Sequence, residues 1–264
     1  MLTLLSKFVV VRWKSRTRYP VSFILGIVGQ WVSYGLEFAS MWIVLSSFEL
    51  LGEWLPHQVM ALYSLNLCCY AGGASIAYGA SRSLPIMVKD GIIDELIIKP
   101  LNSLIYLMLS NISISYISHF TLGVFGVVLS WIIQGIHFSI SNLLLLILFI
   151  LSGSVIHASL MILSAIPSIK MVGNISLTAF YTQVREFMYY PLSIFSKPLQ
   201  FLFTFIIPCA FISFYPTSLM FEISADNFTG GWIAFFSPVV ATLLAVITLS
   251  VWKITIAAYQ SSGN

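Results

Sequence analysis

The residues best placed to do more than pack lie in one short charged stretch. Residues 87–100 read MVKDGIIDELIIKP, with Asp90 and Gly91 followed by Asp94, Glu95, Leu96, Ile97, Lys99 and Pro100. Acid in the first turn after Gly91, base near the far end and a proline stop is the order in which a short helix is favoured by its own dipole. Ile92, Ile93, Leu96 and Ile97 make this helix amphipathic. The chemistry that fits is recognition, an apolar face offered to a groove on another protein. A charged loop that only stops membrane insertion has the same composition. Catalysis fits poorly, because Asp90, Asp94 and Glu95 have no further partners in the pattern. No G-x-x-x-x-G-K-[ST] loop occurs anywhere, so any ATP must be bound by another chain. The three cysteines and four histidines show no metal-ligand spacing.

A second set of polar residues sits inside apolar runs. Gln30, Ser33, Glu37 and Ser40 fall at i, i+3, i+7 and i+10, one face of a helix. A carboxylate at mid-membrane costs about 2.5–3.5 kcal/mol on insertion scales, so Glu37 is expected to face protein or water. It fits either a pathway or a buried interhelical hydrogen bond. Asn111, Ser115 and His119 follow at i, i+4 and i+8, and read as hydrogen-bonded glue between helices or as substrate contacts. The tract 71–80, with Gly72, Gly73 and Gly79, permits close backbone approach.

The elements that must position these residues are membrane helices. Of 264 residues, 59% are hydrophobic and 8% charged, against about 25% charged in a soluble domain. With mean hydropathy +0.97, the chain is solvated by lipid. A net charge of +3 is too small for a nucleic-acid footprint, and no nucleic-acid partner is expected. Runs long enough to cross about 30 Å of hydrocarbon lie near 22–47, 57–83, 102–133, 139–165 and 231–256. The stretch between the last two is ambiguous. Either 171–190 spans and 198–220 dips in and returns around Pro208, or 166–197 stays on the cytoplasmic side and 198–220 spans. Basic residues at the N-terminus, in the 82–99 loop, at Lys170 and at Lys253 place these parts and both termini in the cytoplasm. Glu49, Glu53, Glu222 and Asp226 then face outward. Leu4, Leu5, Phe8, Val9 and Trp13 recur at helical spacing among basic residues, which predicts an interfacial helix over 1–20, unless the segment is an ordinary basic flank.

Gly91, Asp94, Leu96, Ile97, Lys99, Pro100 and Leu101 resemble the G-x-x-D-x-L-[LI]-x-[KR]-P-L element of a subfamily of ABC-2 type permeases, the membrane subunits of bacterial ABC exporters. Gly52, Glu53 and Trp54 followed by 58–63 are similar to that family's external loop and second-span start. Tyr190-Pro191-Leu192, Pro208 and Tyr215-Pro216 resemble its Y-P-L, I-P and P-A elements. The family's Phe-Trp pair after the fourth span is missing; Ala165-Ile166-Pro167 stands there instead. The resemblance implies an all-α membrane protein, 1–264 forming one transmembrane domain. It would have six transmembrane helices, an N-terminal interfacial helix, a coupling helix over 87–100 and a re-entrant region over 191–220. It also implies a second membrane subunit, as homodimer or pseudo-symmetric heterodimer, and nucleotide-binding ATPase subunits that bind the ATP and Mg. No cofactor is expected in this chain, and the location implied is the bacterial cytoplasmic membrane. The resemblance favours the re-entrant topology.

The function expected is the export of a hydrophobic or amphipathic substrate, driven by ATP hydrolysis in the partner. A proton-coupled carrier using Glu37 and His119 is the rival; it predicts inverted internal repeats, which the sequence does not display. A membrane enzyme acting on lipid head groups would need clustered acids or histidines near an interface.

Overall fold

The computed structural model describes residues 8, 10, 11, 14, 18–46, 51–171, 176–223 and 231–259. Most of the expected interfacial helix, including Leu4, Leu5, Val9 and Trp13, lies outside them, as do Glu49 and Asp226. The described residues are helical throughout apart from turns and one isolated bridge between Leu51 and Trp54. Five segments are long and apolar enough to cross a membrane: Pro20–Ile43, Pro56–Lys89, Ile114–Gln134, Ile140–Ile169 and Gly231–Ala257. A further pair, Lys197–Ile206 with Cys209–Met220, is bent by 74° at its break. We number the α-helices α1 (Pro20–Ser46), α2 (Pro56–Lys89), α3 (Ile93–Ile97), α4 (Ser103–Ser110), α5 (Ile117–Gln134), α6 (Ile140–Ala165), α7 (Ser176–Phe187), α8 (Lys197–Phe201), α9 (Phe214–Met220) and α10 (Ser237–Ala257).

Helix α2 is the axle of the bundle. Its 34 residues, about 51 Å at 1.5 Å each, are buried along most of their length between α5, α6 and the bent pair. Pro56 starts it without losing a needed donor, and Gln58 Oε1 accepts from Leu55 N at 2.9 Å. Small residues bring the neighbouring backbones in. A Cβ on Gly73 would lie 2.6 Å from the Ser154 carbonyl, and one on Gly126 2.1 Å from Ser64 Oγ. With no hydrophobic force between helices in lipid, such close packing is a main source of cohesion.

The sequence predicts a continuous third span over 102–133, but the structure breaks it. Asn102 caps α4, which stops at Asn111; the chain turns and restarts at a 3₁₀ turn, Ile114–Tyr116, before α5. Asn111 Nδ2 donates to Leu107 O, and Ser113 N donates across to Ser75 O at 2.8 Å, so the freed backbone groups are rebonded on α2. Gly79 makes room, since a Cβ there would sit 2.6 Å from the Asn111 carbonyl. The break undoes the i, i+4, i+8 stacking of Asn111, Ser115 and His119.

Contacts of 176–220 trace the ambiguous region. Thr178 lies in a cavity wall with Ser81 and Arg82, Tyr181 bonds to His157, Arg185 stacks on Tyr70, and Tyr189 packs on Tyr63. Ile194 finally lies beside Gly52, just before α2 begins. The segment thus runs antiparallel to α2 along most of its length. It is missed by length and hydropathy because α7 has only 12 residues and carries Thr182, Gln183, Arg185 and Glu186 among its apolar ones. The bent pair meets that same end: its first limb starts next to Ile194, and its second carries Phe214 stacked on Trp54 at 5.5 Å and Leu219 against Gly231. Both limbs of the pair thus have contacts near the start of α2.

Proline explains the bend and buried polar groups explain its survival. Pro208 has no N–H, and the carbonyls at the tip lose helical partners. Ser237 Oγ donates to Phe211 O at 3.0 Å, the Cys69 thiol lies 3.7 Å from Ile212 O, and Thr204 Oγ1 bonds to the Tyr215 hydroxyl at 3.0 Å across the two limbs. Non-helical backbone at membrane depth is tolerated only when enclosed in protein, and residues 208–218 are all buried.

Candidate functional site

Two places in the fold gather residues that packing alone does not require. The first is the 87–100 segment. Helix α2 ends in a Schellman turn: Ile92 N donates to Met87 O at 2.9 Å and Gly91 N to Val88 O at 3.3 Å, with Gly91 at φ +71°. That left-handed residue is what lets the chain fold sharply into α3. Asp94 and Glu95 occupy the first turn of α3. The apolar residues expected to form one docking face divide between two. Ile93 and Leu96 are buried against Leu84, Val88 and Leu104 of the same chain. Ile92 and Ile97 point outward with Ile98, which is 80% exposed. The five-residue α3 is too short to hide more than one face, and sequence spacing could not say which. Asp90, Glu95, Lys99 and Pro100 are exposed, so the outward surface is charged with an apolar centre. Lys99 Nζ lies 5.5 Å from the Tyr106 ring, whose edge meets Phe8 at 6.1 Å. That contact sets Phe8 near Lys99.

The second place lies inside the bundle. Arg185 on α7 has its guanidinium 4.2 Å from the ring centre of Tyr70 and 5.8 Å from that of Tyr189. Both are within cation–π range. Its Nε is buried without a hydrogen-bond partner, and among the described residues no carboxylate pairs with it. Around it, His157 Nδ1 and the Tyr181 hydroxyl are bonded at 2.6 Å, and His119 is ringed by Tyr34 at 4.3 Å and Tyr116 at 5.1 Å. A cavity of about 560 Å³ runs from Arg185 past Tyr181 and Tyr78 to Arg82 and Ile86, toward the end of α2 that carries 87–100.

Of the polar residues singled out in the sequence, the structure joins some and separates others. Gln30 accepts a hydrogen bond from Ser118, and Tyr34, one turn along α1, meets His119. Glu37 is exposed on α1 and Ser40 is bonded back to the Glu37 carbonyl at 2.8 Å. His119 is buried, and among the described residues no hydrogen bond joins it to Glu37. Arg185 and its tyrosines were not recognised as a site by sequence reasoning. The available signal was Tyr181, Arg185 and Tyr189 at i, i+4 and i+8, with an arginine in a stretch otherwise suited to the membrane.

A multi-pass α-helical bundle with a bent helix pair, a compact projecting segment at one end and a cavity lined by arginines and tyrosines fits a membrane transporter subunit. The family profile described as "ABC-2 family transporter protein" matches residues 31–263, and the chain belongs to that family. No curated protein and no solved structure gives a significant match. The family is one of ABC transporter permeases, membrane subunits that generally leave catalysis to an ATPase partner.

Proposed function

We propose that this chain is the permease of an ABC exporter, moving an amphipathic substrate outward when ATP closes nucleotide-binding subunits attached at 87–100. The observation that carries the reading is the outward face of that segment: Ile92, Ile97 and Ile98 surrounded by Asp90, Glu95 and Lys99, at the end of the longest helix in the bundle. A charged rim around an apolar centre is the anatomy of a protein interface. Phe8 on Tyr106 extends the same surface. The segment then lies in the cytoplasm of a bacterial cell, both termini on that side, with 197–220 dipping in from outside. Two copies, or this chain and a similar partner, would complete the path, and the ATPases would hold the ATP and Mg. Tilting of the spans by the ATPases closes the cavity on one side and opens it on the other.

The test is reconstitution with a candidate ABC ATPase partner, followed by ATP-dependent loading of inside-out vesicles with a lipophilic fluorescent substrate. Loading that needs ATP and the partner is expected. Loading driven by a proton gradient without the ATPase would replace this reading with the carrier. The lack of a bond between Glu37 and His119 weighs against that alternative.

A further inference from the structure

The cavity beside Arg185 has a composition that selects its occupant. Its lining among the described residues includes two arginines, Arg185 deep and Arg82 near the end of α2, and no aspartate or glutamate. Hydroxyl groups from Tyr34, Tyr70, Tyr78 and Tyr181, and from Ser81 and Thr182, share the wall. Arg82 Nη1 donates to the Tyr78 hydroxyl at 2.9 Å, so its charge is held at the wall rather than spent on an acid. Arg185 is held between Tyr70 and Tyr189 with Nε unpartnered. Glu37 is exposed on α1, and among the described residues no ion pair joins it to Arg185. A desolvated guanidinium without a counter-charge is costly inside a membrane protein, and such residues mark substrate paths.

We propose that this cavity binds the anionic head group, phosphate or carboxylate, of an amphiphile that enters from the end of α2 carrying 87–100. The guanidinium of Arg185 donates to the anion, Arg82 draws it in from the mouth, and the tyrosine rings pack the first carbons of the tail. A space of about 560 Å³ takes a head group and a short length of chain, not a whole lipid. The proposal rests on the transporter reading for the word substrate, but the anion site stands or falls on its own residues.

The experiment measures binding of radiolabelled dodecyl phosphate to the complex in phosphatidylcholine nanodiscs, with dodecanol, dodecyltrimethylammonium and inorganic phosphate as competitors. Saturable binding is expected, with dodecanol and dodecyltrimethylammonium competing weakly. Arg185→Gln should weaken it by about tenfold or more, the loss of one charge-assisted hydrogen bond. Arg185→Lys should weaken it less, and Arg82→Gln by a few-fold. Unchanged binding in Arg185→Gln, or equal competition by dodecyltrimethylammonium, overturns the anion site. Equal competition by inorganic phosphate overturns the amphiphile in favour of the free anion. Folding is checked by thermal midpoint and by ATPase co-purification; where Arg185→Gln fails these, Arg185→Lys and Arg82→Gln decide, and wild-type binding by both overturns the proposal. Failure of the ATPase to co-purify with the wild type sinks the transporter reading instead, while dodecyl phosphate binding to the chain alone still tests the cavity.

Discussion

Replacing Ile98 separates a docking surface from a packing surface, because the neighbouring apolar side chains of 87–100 divide so sharply. Leu96 is 2% exposed and Ile98 80% exposed, two residues apart. Full burial of an isoleucine side chain stabilises by about 1.5–3 kcal/mol, and nearly all of Ile98 is available for a partner to cover. Removing it by Ile98→Asp therefore forfeits about 1–2.5 kcal/mol of binding, roughly 5- to 70-fold in Kd, before any cost of burying the new carboxylate. The same change costs the isolated chain almost nothing, since an exposed side chain away from special features moves stability by about 0.5 kcal/mol or less. Leu96→Ala reverses the pattern: about 2–5 kcal/mol of fold stability is lost with only an indirect effect on docking. The assay is thermal unfolding of the chain in detergent beside a titration with the ATPase. Ile98→Asp should keep the midpoint and lose the partner; Leu96→Ala should lower the midpoint. The reasoning fails if Ile98→Asp binds the ATPase as the wild type does, for 87–100 would then be only a stop signal for insertion.

Three further outcomes follow from the geometry. Gly91→Ala forces an alanine to φ +71° and should cost about 1–2 kcal/mol, frayed locally at the end of α2, which hydrogen exchange of Val88 to Ile92 would detect as faster exchange. Gly73→Ala drives a Cβ to 2.6 Å from the Ser154 carbonyl and 2.7 Å from His157 Cβ, so the thermal midpoint should fall by an amount equivalent to about 1–3 kcal/mol; an unchanged midpoint would mean that α2 and α6 are not packed this closely. Lys197→Cys, exposed at the start of the bent pair, should react with an impermeant maleimide added outside intact cells while the buried Cys68, Cys69 and Cys209 stay unlabelled, and labelling only after lysis would reject the re-entrant topology.

The spans were legible in the sequence because hydropathy depends on composition, and composition needs no partner. Helices α1, α2, α6 and α10 all fall where runs of apolar residues put them. The turn at Gly91 was legible for a similar reason, since glycine after a helix and acids in the next turn act locally. What failed depended on contacts between distant residues. The halt at Asn111 is stabilised by a bond from Ser113 to Ser75 and by the missing side chain of Gly79, and nothing between 102 and 133 announces either. The facing of Leu96 is settled by Leu84 and Leu104. The Arg185 site was hidden because its contacts join residues far apart in the chain: Tyr181 meets His157 on α6 and Arg185 meets Tyr70 on α2, and nothing within 171–190 announces either.

The two candidate places share one element, and this limits how they can be connected. Helix α2 ends in the Gly91 turn that carries α3, and the same helix supplies Tyr70, Tyr78 and Arg82 to the cavity wall. It is enclosed by α5 and α6 through glycine contacts too tight to slide, so it can move only with those neighbours or by bending. The bending point available is Pro85, one turn beyond Arg82, where the backbone lacks a hydrogen bond. A push on α3 that bends α2 at Pro85 would move 87–100 and Ile86 at the mouth of the cavity, and leave Tyr70, Tyr78 and Arg185 where they are. A push that carries α2 with α5 and α6 would shift Tyr70 and Tyr78 against Arg185, which stands on α7. Coupling through this fold therefore requires the second motion, and a variant that straightens the helix, Pro85→Ala, should strengthen rather than weaken the dependence of transport on the ATPase. Weaker dependence in that variant would show that the signal travels by another route, of which the Phe8 contact on Tyr106 is the nearest.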